Sequence, residues 1–187
     1  VVTLETRDGF DGQLTPASGH EDVRSLGLGR AHPLTGPLFV EGAQPGDALE
    51  VELLSYEAGA VGMSACIPGL GLLADEFPDP YLVAWELEPE SARSAALPGV
   101  AVPAGVFAGV LGVAPSHEQM DAMRAREADL AARGGSVAGA FPDAAVPATA
   151  ADGLRTVPPR ETGGNLDVRD LTAGSRVLFP VSVPGAL

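Results

Sequence analysis

Lysine is missing from this chain: all 11 of its basic residues are arginine, set against 25 acidic ones. No step in this chain can therefore run through a lysine base or a lysine Schiff base. The net charge of −14 leaves little basic surface. Phosphate backbones and anionic membranes require such a surface in concentrated form, so neither nucleic acid nor membrane is expected as a partner. Cysteine is nearly absent as well. The single Cys66 cannot form an internal disulfide, so the fold makes no demand on an oxidising compartment. With no activating cation in "GMSACIPGLG", Cys66 reads as a small buried residue rather than a nucleophile. Aromatics make up only 5%, which leaves Val, Leu and Ala to build the core. No apolar run approaches the roughly 20 residues of a membrane-spanning helix. "VVTLETRDGF" carries neither the basic start nor the apolar stretch of a secretory signal. A soluble, cytoplasmic chain is the expectation. A G-x-S-x-G elbow and an H-E-x-x-H helix are also missing, and "GLGLL" lacks the spacing and the following helix of a dinucleotide site.

What is present is punctuation. Twenty-four Gly and 17 Pro break the apolar runs into short pieces, as turns between short strands require. Residues 1–6 alternate and carry β-branched side chains, the pattern of a strand. "PLFVEG" and "DALEVELLSYE" flank a Pro-Gly turn at Gln44–Asp47, and Leu49, Val51 and Leu53 alternate with Glu50 and Glu52. That period predicts a half-buried strand, and the flanking turn predicts a hairpin. "YLVAWELE" reads as another strand. Residues 100–115, Val-rich and nearly uncharged, suit strands buried on both faces. One helix is predicted: Ser116 with Gln119 forms a capping box, Met120, Met123 and Leu130 a narrow stripe, and Gly134 the stop. Glu127 interrupts that stripe, which places the helix on the surface. Residues 135–162 are Ala/Pro/Gly-rich and irregular, and "GSRVLFPVSV" is a last strand in which Pro180 favours an edge or a bulge. The fold class expected is mainly β, a single domain over residues 1–187, β-sandwich or jelly-roll-like, with one surface helix near 116–133.

Few residues can carry chemistry. His32, one of three histidines, precedes Pro33 and lies just ahead of Gly36-Pro37 at a strand entrance. A fixed imidazole there suits a metal ligand or a general base, and the plainer reading is a structural histidine bonded to a loop carbonyl. Asp8 before Gly9, Glu41 before Gly42, and Asn165, Asp167 and Asp170 after Gly163-Gly164 are acids and amides beside turns. Carboxylates and imidazole bind hard or borderline metals, and glycine lets backbone curl around an ion. The plainer reading is that such residues bond their own turns or are simply solvated. His20, in the loop "ASGHED", and His117, at a helix start that disfavours imidazolium, are weaker candidates.

The blocks "HPLTGPLFVEGAQPGDALEVELL", "PGLGLLADEF", "VFAGVLGVAP" and "RTVPPRETGGNLDVRDLTAGSRVLFPVSVPGAL" occur in this order along nearly the whole chain. Together they resemble the acetamidase/formamidase family of amide hydrolases. The resemblance implies a β-sandwich related to jelly rolls, self-associated as a homo-oligomer such as a dimer. It implies hydrolysis of short carboxamides such as formamide or acetamide to acid and ammonia, assisted by a divalent metal, zinc first, with calcium or magnesium open. On the matching motifs, His32, Asn165 and Asp167 become the catalytic candidates, and Asp8, His32 and Asp167 the metal ligands. Glu41, Gly163 and Gly164 become the candidates for holding the small-molecule amide. Family members continue beyond "PVSVPGAL" into a Gly-Asp-x-His turn, and the first strand has no preceding partner, so a chain incomplete at both ends is expected. The apolar character of residues 100–115 departs from relatives that carry polar side chains there. Two other readings stand beside the amidase: a catalytically incomplete β-sandwich acting as a ligand-binding or oligomerisation module, and hydrolysis of a cyclic amide.

Overall fold

Leu49 and Val51 are half-buried and Glu50 and Glu52 exposed along β1, Ala48–Glu52, as their alternation predicts. The computed structural model describes residues 1–135 and 154–187, and most of the irregular stretch expected at 135–162 lies outside them. The described residues form seven further strands: β2 Val61–Cys66, β3 Tyr81–Leu87, β4 Ser91–Arg93, β5 Ala101–Pro103, β6 Val110–Gly112, β7 Gly163–Asn165 and β8 Arg176–Pro180. They also form one α-helix, α1, His117–Ala132. All strand pairs are antiparallel. The described residues are mainly β with a single α-helix. It divides into two compact units, one of Val1–Asp11, Leu28–Ser55 and Phe107–Leu187, the other of Gly12–Gly27 and Tyr56–Val106.

In the first unit β1 pairs with β8, Leu49 opposite Phe179 and Val51 opposite Val177. One face of this ribbon thus collects the apolar side chains, with Phe179 buried, while Arg176 spans Glu50 and Glu52 at 3.4 Å each. A second ribbon pairs β6 with β7, Val110 opposite Asn165 and Gly112 opposite Gly163. Glycine is obligatory at 163: a Cβ there would stand 2.3 Å from the Leu111 carbonyl oxygen, 2.6 Å from Gly112 Cα and 3.0 Å from the Phe179 ring. The two ribbons meet through that close approach.

Helix α1 begins as its sequence predicts. Ser116 Oγ accepts from Gln119 N at 3.2 Å, and Gln119 Oε1 accepts from Ser116 N at 3.0 Å. Gly134, at φ +79°, follows its end. The buried face differs from the expected Met120/Met123/Leu130 stripe. Met123 is fully buried, and the residue one turn on is Glu127, also buried, whereas Leu130 is 39% exposed. The reason is that Glu127 has a buried cationic partner, described below.

Three other expectations give way. The hairpin predicted across Gln44–Asp47 does not form. The turn is there, with Asp47 N donating to Gln44 O at 3.0 Å, but it delivers β1 to β8, not back onto residues 37–42. That preceding segment instead meets the last turn of the chain, Val40 N donating to Gly185 O at 3.0 Å and Gly185 N to Ala43 O at 2.9 Å. Residues 1–6 form no strand, and Val1, Val2 and Leu4 are exposed. Residues 100–115 are not buried on both faces: all of β5 is exposed and β6 is at most half-buried.

The second unit is one four-stranded sheet in the order β2-β3-β4-β5. Val23, on a 3-10 turn at His20–Ser25, is buried, as are Leu14 and Leu82. His20 is anchored by β3: its Nδ1 accepts from Leu82 N at 2.9 Å and its ring stacks on Tyr81 at 4.4 Å. No helix among the described residues is long and apolar enough to cross a membrane.

Candidate active site

His32 follows a 3-10 turn at Leu28–Arg30 and the buried Ala31, within the first unit. The peptide bonds Ala31–His32 and Gly36–Pro37 are both cis. Arg155, itself buried, reaches across to this turn. Its Nη2 donates to Leu28 O at 2.9 Å and also to Ala31 O. Thr156 Oγ1 donates to the carbonyl of His32 at 3.3 Å, and the carbonyl of Thr156 accepts from Asn165 N at 2.9 Å. One residue therefore ties the backbones of two candidate catalytic residues together. The edge of the His32 ring lies against Gly9, where a Cβ would be 3.6 Å from Cδ2.

The chemistry of His32 centres on its Nδ1. Among the described residues it is the buried side-chain nitrogen or oxygen that has no hydrogen-bond partner. Leaving such an atom unpaired costs about 1–3 kcal/mol.

Asp167 sits past the end of β7 at φ +48°, in the left-handed region that Asp tolerates better than most residues. Its N donates to Gly109 O at 3.0 Å, and its Oδ1 would lie 3.2 Å from a Cβ on Gly109. Glycine at 109 thus leaves room for an exposed carboxylate. Gly164 continues the crowding, since a Cβ there would be 2.9 Å from Pro158 O. Gly163 is enclosed in the β6–β7 ladder. Asp170 is exposed. Asp8 closes its own turn: its Oδ2 accepts from Phe10 N at 3.0 Å and its carbonyl from Asp11 N at 2.8 Å. Glu41 is exposed on the turn that Gly185 holds.

Sequence reasoning overlooked four residues around this loop. Asp11 binds Arg30 through Nε at 2.9 Å and Nη2 at 2.6 Å, and also pairs with Arg7. The hydrogen bond from Arg30 holds the Asp11 carboxyl below its ordinary value of 3.8; partial loss of hydration opposes this, and the charge of Arg7 adds to it. Arg155, Thr156 and Arg160 are the others. "RTVPPRE" offered a signal for them, two arginines five apart in a chain poor in cations.

The described residues do not bring Asp8, His32 and Asp167 together as a metal-binding group. Among the described residues no cluster of three or more His, Cys, Asp or Glu side chains is placed to hold an ion. Asp8 is engaged in its turn through one oxygen, and Asp167 stands over Gly109.

The profile of the Acetamidase/Formamidase family matches residues 1–187. The chain belongs to this family. Among curated relatives it is 34% identical over 211 residues to the acetamidase of Mycolicibacterium smegmatis, covering 98% of this chain and 52% of that protein. It is 36% identical over 200 residues to the formamidase of Methylophilus methylotrophus, covering 96% of this chain and 49% of that one. The γ-lactamase structure from Delftia acidovorans superposes with a TM-score of 0.87 at 34% identity, covering 96% of this chain and 49% of that chain. The family's chain thus runs to about twice the length spanned here.

Proposed function

We propose that this chain takes part in the hydrolysis of a short carboxamide to carboxylate and ammonia, with His32 as the general base. The observation that carries the reading is the buried, unpartnered Nδ1 of His32. As the base, that nitrogen takes a proton from water. The water oxygen then adds to the carbonyl carbon, the C–N bond breaks, and the proton is passed on to the departing nitrogen, which leaves as ammonia. Asn165, tied to His32 through Thr156, is assigned donation to the developing oxyanion. Asp167 is assigned the orientation of water. The identity with the acetamidase and the formamidase supports the substrate class. A divalent ion here would draw on His32 and would need donors beyond those the described residues gather.

A cyclic amide is the second reading, favoured by the similarity to the Delftia acidovorans γ-lactamase. Self-association is part of the proposal, on the strength of the apolar side chains this chain leaves exposed, Phe39, Leu72 and Phe77 among them. Ammonia release from formamide, acetamide and propionamide, run beside opening of a γ-lactam, separates the two substrate classes. A folded protein that turns over neither would return the reading to a ligand-binding or oligomerisation module.

A further inference from the structure

The face that α1 buries carries a carboxylate, and that carboxylate is the far end of a chain of bonds leading to His32. Glu127 accepts from Arg160 with both oxygens, Nε to Oε1 at 2.6 Å and Nη2 to Oε2 at 3.0 Å. The two side chains are only 10% and 5% exposed. The remaining arm of the same guanidinium, Nη1, donates to the carbonyl of Arg155. The Arg160 backbone exchanges hydrogen bonds of 2.8 and 2.9 Å with Gly163 at the start of β7. Arg155 then donates to the carbonyls of Leu28 and Ala31, the latter directly before His32.

A buried ion pair is a poor way to gain stability, because desolvation of both charges offsets most of their attraction, and apolar residues of similar volume often serve as well. What the fork of an arginine supplies is direction, since its planar set of donors fixes several acceptors at once. Here those acceptors are a helix carboxylate and the backbone of the segment that carries Arg155 and Thr156.

We propose that Glu127, Arg160 and Arg155 are positioning residues: a relay from α1 that fixes the backbone leading into the Ala31–His32 peptide and so aims the His32 imidazole. The proposal gives none of the three a contact with substrate. The relay rests on the reading of His32 as the base, and its test is built so that the two fail separately.

The chain has three histidines, so the imidazole signals of His32, His20 and His117 are separable by NMR, with His32→Gln assigning the first. The variants are the double E127M/R160M, which removes both charges at similar volume, and R160K and R155K, which keep the charge and lose the fork. Each is read by thermal melting, by the His32 ring signals and by kcat and KM for ammonia release. The relay predicts that E127M/R160M melts within about 5 °C of the unsubstituted protein. It also predicts that the His32 ring signals shift or broaden while those of His20 and His117 stay in place. Turnover should fall roughly 10- to 100-fold in kcat with KM nearly unchanged. R160K and R155K should move the same signals in the same direction. Should the double variant not fold, R160K decides by the same criteria. Unmoved His32 signals in a folded variant would overturn the relay, whatever the change in melting. If the unsubstituted protein releases no ammonia, the assignment of His32 as base fails, and the ring signals alone still decide whether the relay aims it.

Discussion

Asp167 combines two demands in one residue, a left-handed backbone at φ +48° and a carboxylate standing over Gly109. The two can be separated. Asp167→Asn keeps a side chain that tolerates this backbone, whereas Asp167→Ala adds about 1 kcal/mol of conformational cost, visible in urea unfolding. Both are expected to lower ammonia release, and an Asn variant with full turnover would remove Asp167 from the mechanism. Asp11 gives a pH test. Its carboxyl is held below 3.8 in the fold, chiefly by the hydrogen bond from Arg30, so its stabilising effect is complete above that value and is lost as pH falls through the lowered one. The melting temperatures of the unsubstituted protein and Asp11→Asn should therefore differ above pH 3.8 and converge in more acid solution. Curves that stay parallel would show that the Arg7–Asp11–Arg30 cluster does not hold the loop. His32 stood out in the sequence as one of three histidines, set before the rigid Pro33, and its part in the reaction is a proposal. Glu127 did not stand out. A lone carboxylate in a helical stripe looks like a break in the apolar face, and only its partner, 33 residues away, makes it part of that face.

At the scale of elements, local chemistry was the readable part. The Ser116–Gln119 box and Gly134 fixed both ends of α1, because a cap is decided by residues within one turn of it. The strand at 48–52 was readable for the same reason, as its alternation is local. Its partner was not. Period 2 states which face of a strand is buried and is silent about which strand lies beside it. The turn at Gln44–Asp47 favoured a near neighbour, yet the strand 124 residues further on, with Val177 and Phe179 in register, took the place. The same limit hid the β6–β7 ribbon, three residues on each side, whose glycines allow the backbones to touch. That ribbon makes a sharp prediction. Gly163→Ala puts a methyl group 2.3 Å from the Leu111 carbonyl at a φ of +99°, and no relaxation of one flexible side chain relieves it. The variant is expected to lose cooperative thermal unfolding, or not to accumulate as folded protein. A normal melting curve would mean that β6 and β7 are not packed as described.

For the whole molecule, the family was readable from ordered blocks of sequence, and the profile match over residues 1–187 agrees with it. The absence of lysine pointed the same way, since it removes the amide-hydrolysing chemistries that depend on that residue. A metal was expected only from the family resemblance, and the donors proposed for it are not gathered among the described residues. Relatives about twice the length spanned here make activity a question for the bench. The deciding measurement is ammonia release from acetamide and formamide by the chain and by His32→Gln. The account predicts ammonia release by the chain and a loss of roughly 100-fold or more in the variant, within the range of general-base catalysis. Equal turnover by the two proteins would contradict it, since the unpartnered nitrogen of His32 would then serve no step of the reaction.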